Sequence, residues 1–385
     1  MLYMAIEQRG SSTGYVTNKV NLLDGSIDTV NLGLATSPIG PAEELRPLLK
    51  ERDPLSDLAE YPNDPTHTAT RKLILNYVGL DTHVNAVILN GNGSYGAGDE
   101  VTRYLAQQGA QRFHATNYSF PNAEQWTRRH PGIIYSPVDV DSLNPIDSLA
   151  SMRNLSRENL DGNIVYIDYP NNPYGLADPN LVREVVKHTV ENGGIPIVDL
   201  AFGEVLGEEF QNIINFTFQH GGISLASLSK TQGCPGLRTG YAILPEHLTS
   251  NGYSGDQKKV FGLNREAEFV YTKLMETSMG SEPLAKIHAR RVAKYNRSTN
   301  QELKIALEDI GLKVEPTNLE TPIQVVRDGE DFHQRLTSLG IITESLADYQ
   351  NTLGQQSGYG DSAVRMLTPR PGDLTTVIER IKSLR

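Results

Sequence analysis

Cysteine is nearly absent. The single Cys234 excludes an internal disulfide and a zinc site built from several thiolates, and no metal is expected. Basic residues are in the minority, 35 against 46 acidic ones, for a formal net charge of −11. That balance disfavours nucleic acid as a partner, because phosphate backbones are bound by basic faces. It leaves room for a local group of cations that holds a small anion. No run approaches the ~20 apolar residues that a membrane-spanning helix needs, so no membrane partner is expected. The opening MLYMAIEQRGSS lacks a basic start followed by a long apolar stretch, so no secretory leader is expected, and the cytoplasm is the expected location.

What is present reads as a folded protein. Hydrophobic residues at 38% and charged residues at 21% separate the chain from disordered sequences. Its 385 residues exceed the usual size of one domain, so a large domain plus a smaller one is expected. Over residues 86–243 short apolar runs alternate with helical patterns: strands at 86–89, 112–115, 133–136, 164–167, 195–198, 224–227 and 241–244, with helices at 98–108 and 179–192. The second helix has Leu181, Val185, Val186 and Val190 on one face and stops at Gly193-Gly194. Such alternation predicts a mostly parallel sheet covered on both faces. After Asn264 the pattern turns helical, with Pro283 a break between two long helices. Beyond Gly311 strands at 323–326 and 363–367 and helices at 331–339 and 373–384 predict a smaller α+β unit.

Four motifs carry candidate chemistry. Gly91-Asn92-Gly93-Ser94-Tyr95-Gly96 sits between a strand and a helix and fits a GxGxxG phosphate turn, or simply a plain strand-to-helix turn. A dinucleotide site would also want an acid at the end of the next strand, which instead reads His114-Ala115-Thr116-Asn117. Asp168-Tyr169-Pro170-Asn171-Asn172-Pro173-Tyr174-Gly175 is turn-rich and follows a strand, where an Asn amide can donate to a ligand. Asp199 closes another strand; it is either a cap or solvated loop acid, or a carboxylate in need of a cationic partner. The most specific run is Ser227-Leu228-Ser229-Lys230 through Arg238-Thr239-Gly240. There a strand delivers two hydroxyls and a lysine to one point, and a glycine-rich turn returns Arg238 beside them. Ser227 and Arg238 can bind a phosphate together. A lysine desolvated among cations has a lowered pKa, as an amine nucleophile requires.

Taken in this order, the motifs resemble the class I/II aminotransferases of the fold-type I pyridoxal-phosphate enzymes, closest to the histidinol-phosphate aminotransferase branch, over nearly the whole chain. The resemblance implies an α/β fold with a large, mostly parallel seven-stranded domain over residues 62–280. A smaller α+β domain would be formed by 1–61 and 281–385. It implies that Lys230 forms the Schiff base with pyridoxal 5'-phosphate and shuttles the proton, while Asp199 pairs with the pyridinium nitrogen. Ser227, Arg238, Gly93, Ser94 and Tyr95 would bind the phosphate. Tyr118 would stack on the ring, with Phe120 a rival, and Asn172 would contact the phenolic oxygen. Tyr61, in Tyr61-Pro62, would reach the partner subunit's cofactor, which implies a homodimer. Gly33, in Asn31-Leu32-Gly33, would lie over the substrate, and Arg365, in Val364-Arg365-Met366-Leu367, would grip its α-carboxylate. The implied reaction moves an amino group from an L-amino acid to a 2-oxo acid.

One residue departs from the pattern: Phe202 stands where the family has a tyrosine that donates to the phenolic oxygen. A decarboxylase or an oxidase on the same cofactor is therefore the alternative. A nicotinamide oxidoreductase rests only on Gly91–Gly96. An enzymatically inert ligand sensor would come with a DNA-binding domain, for which the segment before Tyr61 is short.

Overall fold

The computed structural model describes residues 29–34, 36–52, 61, 64–80, 86–116, 118–138, 144–250, 262–349 and 362–384. The expectation about a leader concerns residues outside this set.

Seven strands form the central sheet, in the spatial order Val87–Asn90, Gly240–Ile243, Ile223–Ser227, Ile195–Asp199, Ile164–Asp168, Arg112–Thr116, Ile134–Val138. All strand contacts are parallel except those of Gly240–Ile243, which is antiparallel to both neighbours. The exception has a local cause. Parallel neighbours need a crossover, usually a helix, and residues 228–239 hold only the short 3₁₀ turn Pro235–Leu237, so the chain folds straight back. Apolar clusters cover both faces of the sheet. One is centred on Val165, Val198 and Tyr241, and the other on Phe113, Trp126 and Tyr166. Near-continuous burial along Ile164–Asp168 and Ile223–Ser227 is what a sheet covered on both sides demands.

A second core lies under a four-stranded antiparallel sheet, ordered Lys313–Val314, Ile323–Arg327, Ala363–Leu367, Glu344–Ser345. Val30–Asn31 pairs in parallel with Ile341–Ile342, which ties the N-terminal segment to this C-terminal unit. The 26-residue helix Leu284–Asp309 begins directly after Pro283, where a proline's missing N–H is harmless. Pro283 closes a two-residue β-pair with Ser278–Met279, so the break it marks is a tight hairpin between the Arg265–Glu276 helix and the long one.

The sequence placed the helix that follows the first sheet strand at 98–108; it starts at Gly93 and runs to Gln107. The low helix propensity of Gly93 and Gly96 hid that first turn. The phosphate-turn glycines form the helix start itself, and Gly93 has a φ of 72°. Further along, Gly98 lets this helix press against the Asn122–Arg129 helix, since a Cβ there would lie 2.3 Å from the Trp126 ring. Propensity alone would make Gly98→Ala stabilising by about 1 kcal/mol. Because Trp126 is fully buried, we expect instead a loss of about 1–3 kcal/mol from overpacking, read as a lower denaturant midpoint at unchanged m-value.

Candidate active site

Strand ends deliver the chemistry. Asp199 and Asp168 end adjacent parallel strands as direct Cα partners, at the carboxyl edge of the sheet where ligands sit in such folds. Both are buried. Asp199 accepts from the Tyr166 hydroxyl at 2.9 Å through Oδ2 and from the Ala201 N–H at 3.0 Å through Oδ1. Burial raises its pKa, while Tyr166, Ala201 and the Lys230 charge oppose the rise. Asp168 accepts from the N–H groups of Asn172 (3.0 Å) and Phe120 (3.2 Å) and from the Asn171 amide (3.0 Å). Burial and the neighbouring Asp199 charge bring it up to about 7 against those donors. Its role is to pin the 168–175 turn.

Lys230 follows the strand Ile223–Ser227. Burial lowers its amine to about 8, with the Arg365 and Arg238 charges adding to the shift and Asp199 opposing it. Its Nζ lies 5.5 Å from the centre of the Phe202 ring. Phe202 is itself buried against Ile323 and Leu367, side chains of the four-stranded sheet, so the lysine sits where the two units meet. Cys234, four residues on, is buried, and burial pushes its thiol up to about 12, which makes it an unreactive filler.

An anion cradle lies beside the lysine. Gly93 donates its N–H to the Arg238 carbonyl at 2.9 Å, and a Cβ on Gly93 would stand 3.6 Å from Arg238 Nη2 and 3.9 Å from Ser227 Oγ. Asn92 makes no side-chain cap, so the N–H groups of Ser94 and Tyr95 in the first turn have no intrahelical acceptor and suit an anion. Ser227 Oγ is positioned by the Thr239 carbonyl and by Ser229 Oγ, each at 2.9 Å. Arg238 reaches the cradle from a left-handed backbone conformation, φ 52°. The Tyr95 ring packs on Trp126 with centroids 6.0 Å apart, and the Arg129 guanidinium lies 5.2 Å from it, while its backbone N–H stands in the first turn.

Opposite stands Arg365, 2% exposed. It donates through Nη1 to Asn172 Oδ1 at 2.9 Å and through Nη2 to the Gly33 carbonyl, joining three residues that the sequence places hundreds of positions apart. Accepting from Arg365 fixes which way the Asn172 amide faces. Tyr118 is buried edge-on to Tyr174, ring centroids 5.8 Å apart, and its carbonyl accepts from Asn171. Phe120 enters the network through its backbone N–H. Tyr61 lies at the surface, 77% exposed.

Three residues of this pocket escaped the sequence analysis as contributors: Tyr166, the carboxylate of Asp168, and Glu344, which pairs with Arg365. Tyr166 sat inside an apolar strand run and Glu344 in a two-residue strand too short to register. Asp168 heads the turn motif, and alternation with Tyr166 along one strand was the available signal. Among the described residues no group of His, Cys, Asp or Glu is placed to hold a metal ion, and no helix is long and apolar enough to cross a membrane.

The amine predicts a pH profile of its own. Only neutral Lys230 attacks a carbonyl, so the rate at which apo-protein takes up pyridoxal phosphate should rise with pH. It should level off above about 8, where an unperturbed lysine would still be climbing. Stopped-flow absorbance checks this; a rate still rising steeply past pH 10 contradicts it.

The model of the family "Aminotransferase class I and II" matches residues 27–326. The chain is 25% identical over 322 residues to a histidinol-phosphate aminotransferase of Thermoanaerobacter pseudethanolicus, covering 83% of this chain and 84% of that one. Among solved structures it is similar to the histidinol-phosphate aminotransferase from Sinorhizobium meliloti in complex with pyridoxal-5'-phosphate, with a TM-score of 0.72 at 17% identity, over 93% and 92% of the two chains. It is also similar to the L-threonine-O-3-phosphate decarboxylase from Porphyromonas gingivalis, with a TM-score of 0.68 at 17% identity, over 92% and 99%.

Proposed function

The chain belongs to the class I and II aminotransferase family and is a pyridoxal-phosphate-dependent aminotransferase; we propose that Lys230 is its cofactor lysine and the group that moves the substrate proton. The observation that carries the assignment is the placement of Lys230, its Nζ 5.5 Å from the Phe202 ring and within electrostatic reach of Asp199, Arg238 and Arg365, an environment that lowers its amine. The donor set suits this cofactor. A side chain at Gly93 would occupy the space next to Arg238 and Ser227, so that corner has room and donors for a phosphate. A buried carboxylate at Asp199 suits a protonated ring nitrogen.

When bound, pyridoxal phosphate supplies an electron sink for the bond broken at the substrate's α-carbon. The protein supplies the rest. Ser227, Arg238 and the backbone N–H groups of Ser94 and Tyr95 would hold the phosphate, while Gly93 provides the room. Asp199 would face the ring nitrogen, and Tyr166, donating to Oδ2, keeps its carboxylate from rotating. Tyr118 would lie on the ring and Asn172 would donate to the phenolic oxygen. Lys230 Nζ would accept the α-proton and return it. At neutral pH a lysine of pKa about 8 offers on the order of 300-fold more free amine than one at 10.5. Gly33 and Arg365 would line the substrate side. The donor would be an L-amino acid and the acceptor a 2-oxo acid. We propose the domain division 62–280 against 1–61 with 281–385; the separate core of the small sheet supports it, while Ala42, Leu45, Leu284 and Ala285 pack into the core of the large unit. A cytoplasmic homodimer belongs to the same proposal, and the support for the dimer is the exposed ring of Tyr61.

Borohydride reduction of the holoenzyme, then peptide mass spectrometry, should find the pyridoxyl group on Lys230 and none in Lys230→Ala. A label on another lysine would reject the assignment. Phe202 makes a second test. Its ring faces Lys230 Nζ and carries no donor, so Phe202→Tyr should add one beside the phenolic oxygen. One hydrogen bond to a charged group, about 1.5–3 kcal/mol, corresponds to a midpoint of the visible band lower by about one to two pH units. An unmoved midpoint in a spectrophotometric titration means that the oxygen is already satisfied.

A further inference from the structure

Arg365 meets any substrate already paired. Glu344 is its direct Cα partner across the antiparallel ladder. Glu344 Oε2 lies 2.7 Å from Arg365 Nη2, with side chains 1% and 2% exposed. The same carboxylate accepts the Tyr349 hydroxyl, and the Tyr349 ring lies 5.6 Å from the guanidinium. With Asn172 and Gly33 also engaged, the guanidinium is held on several sides, and its Nε is buried without a hydrogen-bond partner.

A buried guanidinium needs an anion, and in a pocket that binds amino acids the substrate can be that anion. Here the protein brings its own. Arg365 and Glu344 together carry no net charge, so an α-carboxylate must share the guanidinium with a fixed neighbour of its own sign. A single carboxylate can be accommodated, since Arg presents five donors. A second carboxylate, or a doubly charged phosphate, would add its repulsion from Glu344 in a place screened from water.

We propose that Glu344 is a specificity-determining residue: it restricts this pocket to amino donors whose side chains are uncharged or cationic and turns away dicarboxylic and phosphorylated ones. The proposal rests on Arg365 being the carboxylate contact. It separates this chain from the relatives named for histidinol phosphate, because the ligand of such a site brings a phosphate.

The test uses holoenzyme and ligands that cannot react, having no free amine: butyrate, glutarate and γ-trimethylammoniobutyrate, titrated by calorimetry. Wild type should bind glutarate about tenfold or more weakly than butyrate, and the cationic analogue at least as tightly as butyrate. Glu344→Gln should tighten both ligands, and glutarate by about tenfold more than butyrate, so that the glutarate-to-butyrate ratio moves. Glutarate binding wild type as well as butyrate overturns the proposal, and so does a glutarate-to-butyrate ratio that Glu344→Gln does not move. The wild-type ordering decides by itself should the variant fail to fold. Arg365→Ala separates the two layers. Butyrate affinity unchanged in that variant removes Arg365 from the carboxylate site, and the Glu344 proposal with it. Butyrate affinity lost there, with the ratio indifferent to Glu344→Gln, overturns only the role of Glu344.

Discussion

Lys230 as a residue is half-buried, but its amine is enclosed and loses hydration, and the groups around it answer that cost. A lysine in water holds its proton at neutral pH; this one is lowered to about 8 by burial and by two guanidinium charges, with Asp199 on its opposing side. Remove the burial and the amine returns to an ordinary surface lysine. Remove Asp199 and the cations would depress it further. The compromise depends on the large sheet supplying Asp199 and the lysine strand, while the antiparallel unit supplies Arg365 and the Phe202-facing apolar wall. Neither unit makes the site alone.

The large sheet was legible because its strands are buried on both faces and so read as apolar runs with turn residues between them. The Ser227-to-Arg238 stretch was legible for a different reason: its functional groups lie within one turn, where spacing alone reports proximity. What could not be read was everything created by pairing. The Arg365–Glu344 contact comes from strand register, and Glu344–Ser345 is too short to show a period. Tyr166 looked like one more apolar position until its hydroxyl met Asp199 on the next strand. The first turn of the helix at Gly93 was missed because it is written in glycine and serine, residues of poor helix propensity. One of the motifs behind the family resemblance thus also hid the start of a helix.

Arg365 shows how much of the proposed carboxylate site can be internal. Its guanidinium links Asn172 of the large unit, the Gly33 carbonyl of the N-terminal segment and Glu344 of the small sheet. These contacts hold the residue in one orientation before any ligand arrives, which spares the loss of side-chain freedom on binding. They also make the pocket's polarity a property of neighbouring strands, set by which residue stands opposite Arg365 in the ladder.

The pairing of Asp168 with Asp199 carries a constraint of another kind, on length. Side chains alternate between the faces of a strand, so inserting or deleting one residue within Ile164–Asp168 or Ile195–Asp199 would send the terminal carboxylate to the opposite face and exchange core side chains for it. Such a change would remove the chemistry and the packing in one step, with no partly working intermediate. Helix ends such as Asn192-Gly193-Gly194, which only hand the chain from one element to the next, are under no such parity rule. Indels are therefore better tolerated in connections such as Asn192-Gly193-Gly194, which carry no site residue, than within these two strands or in the Gly91–Gly96, Asp168–Gly175 and Ser227–Gly240 turns from which the site is built.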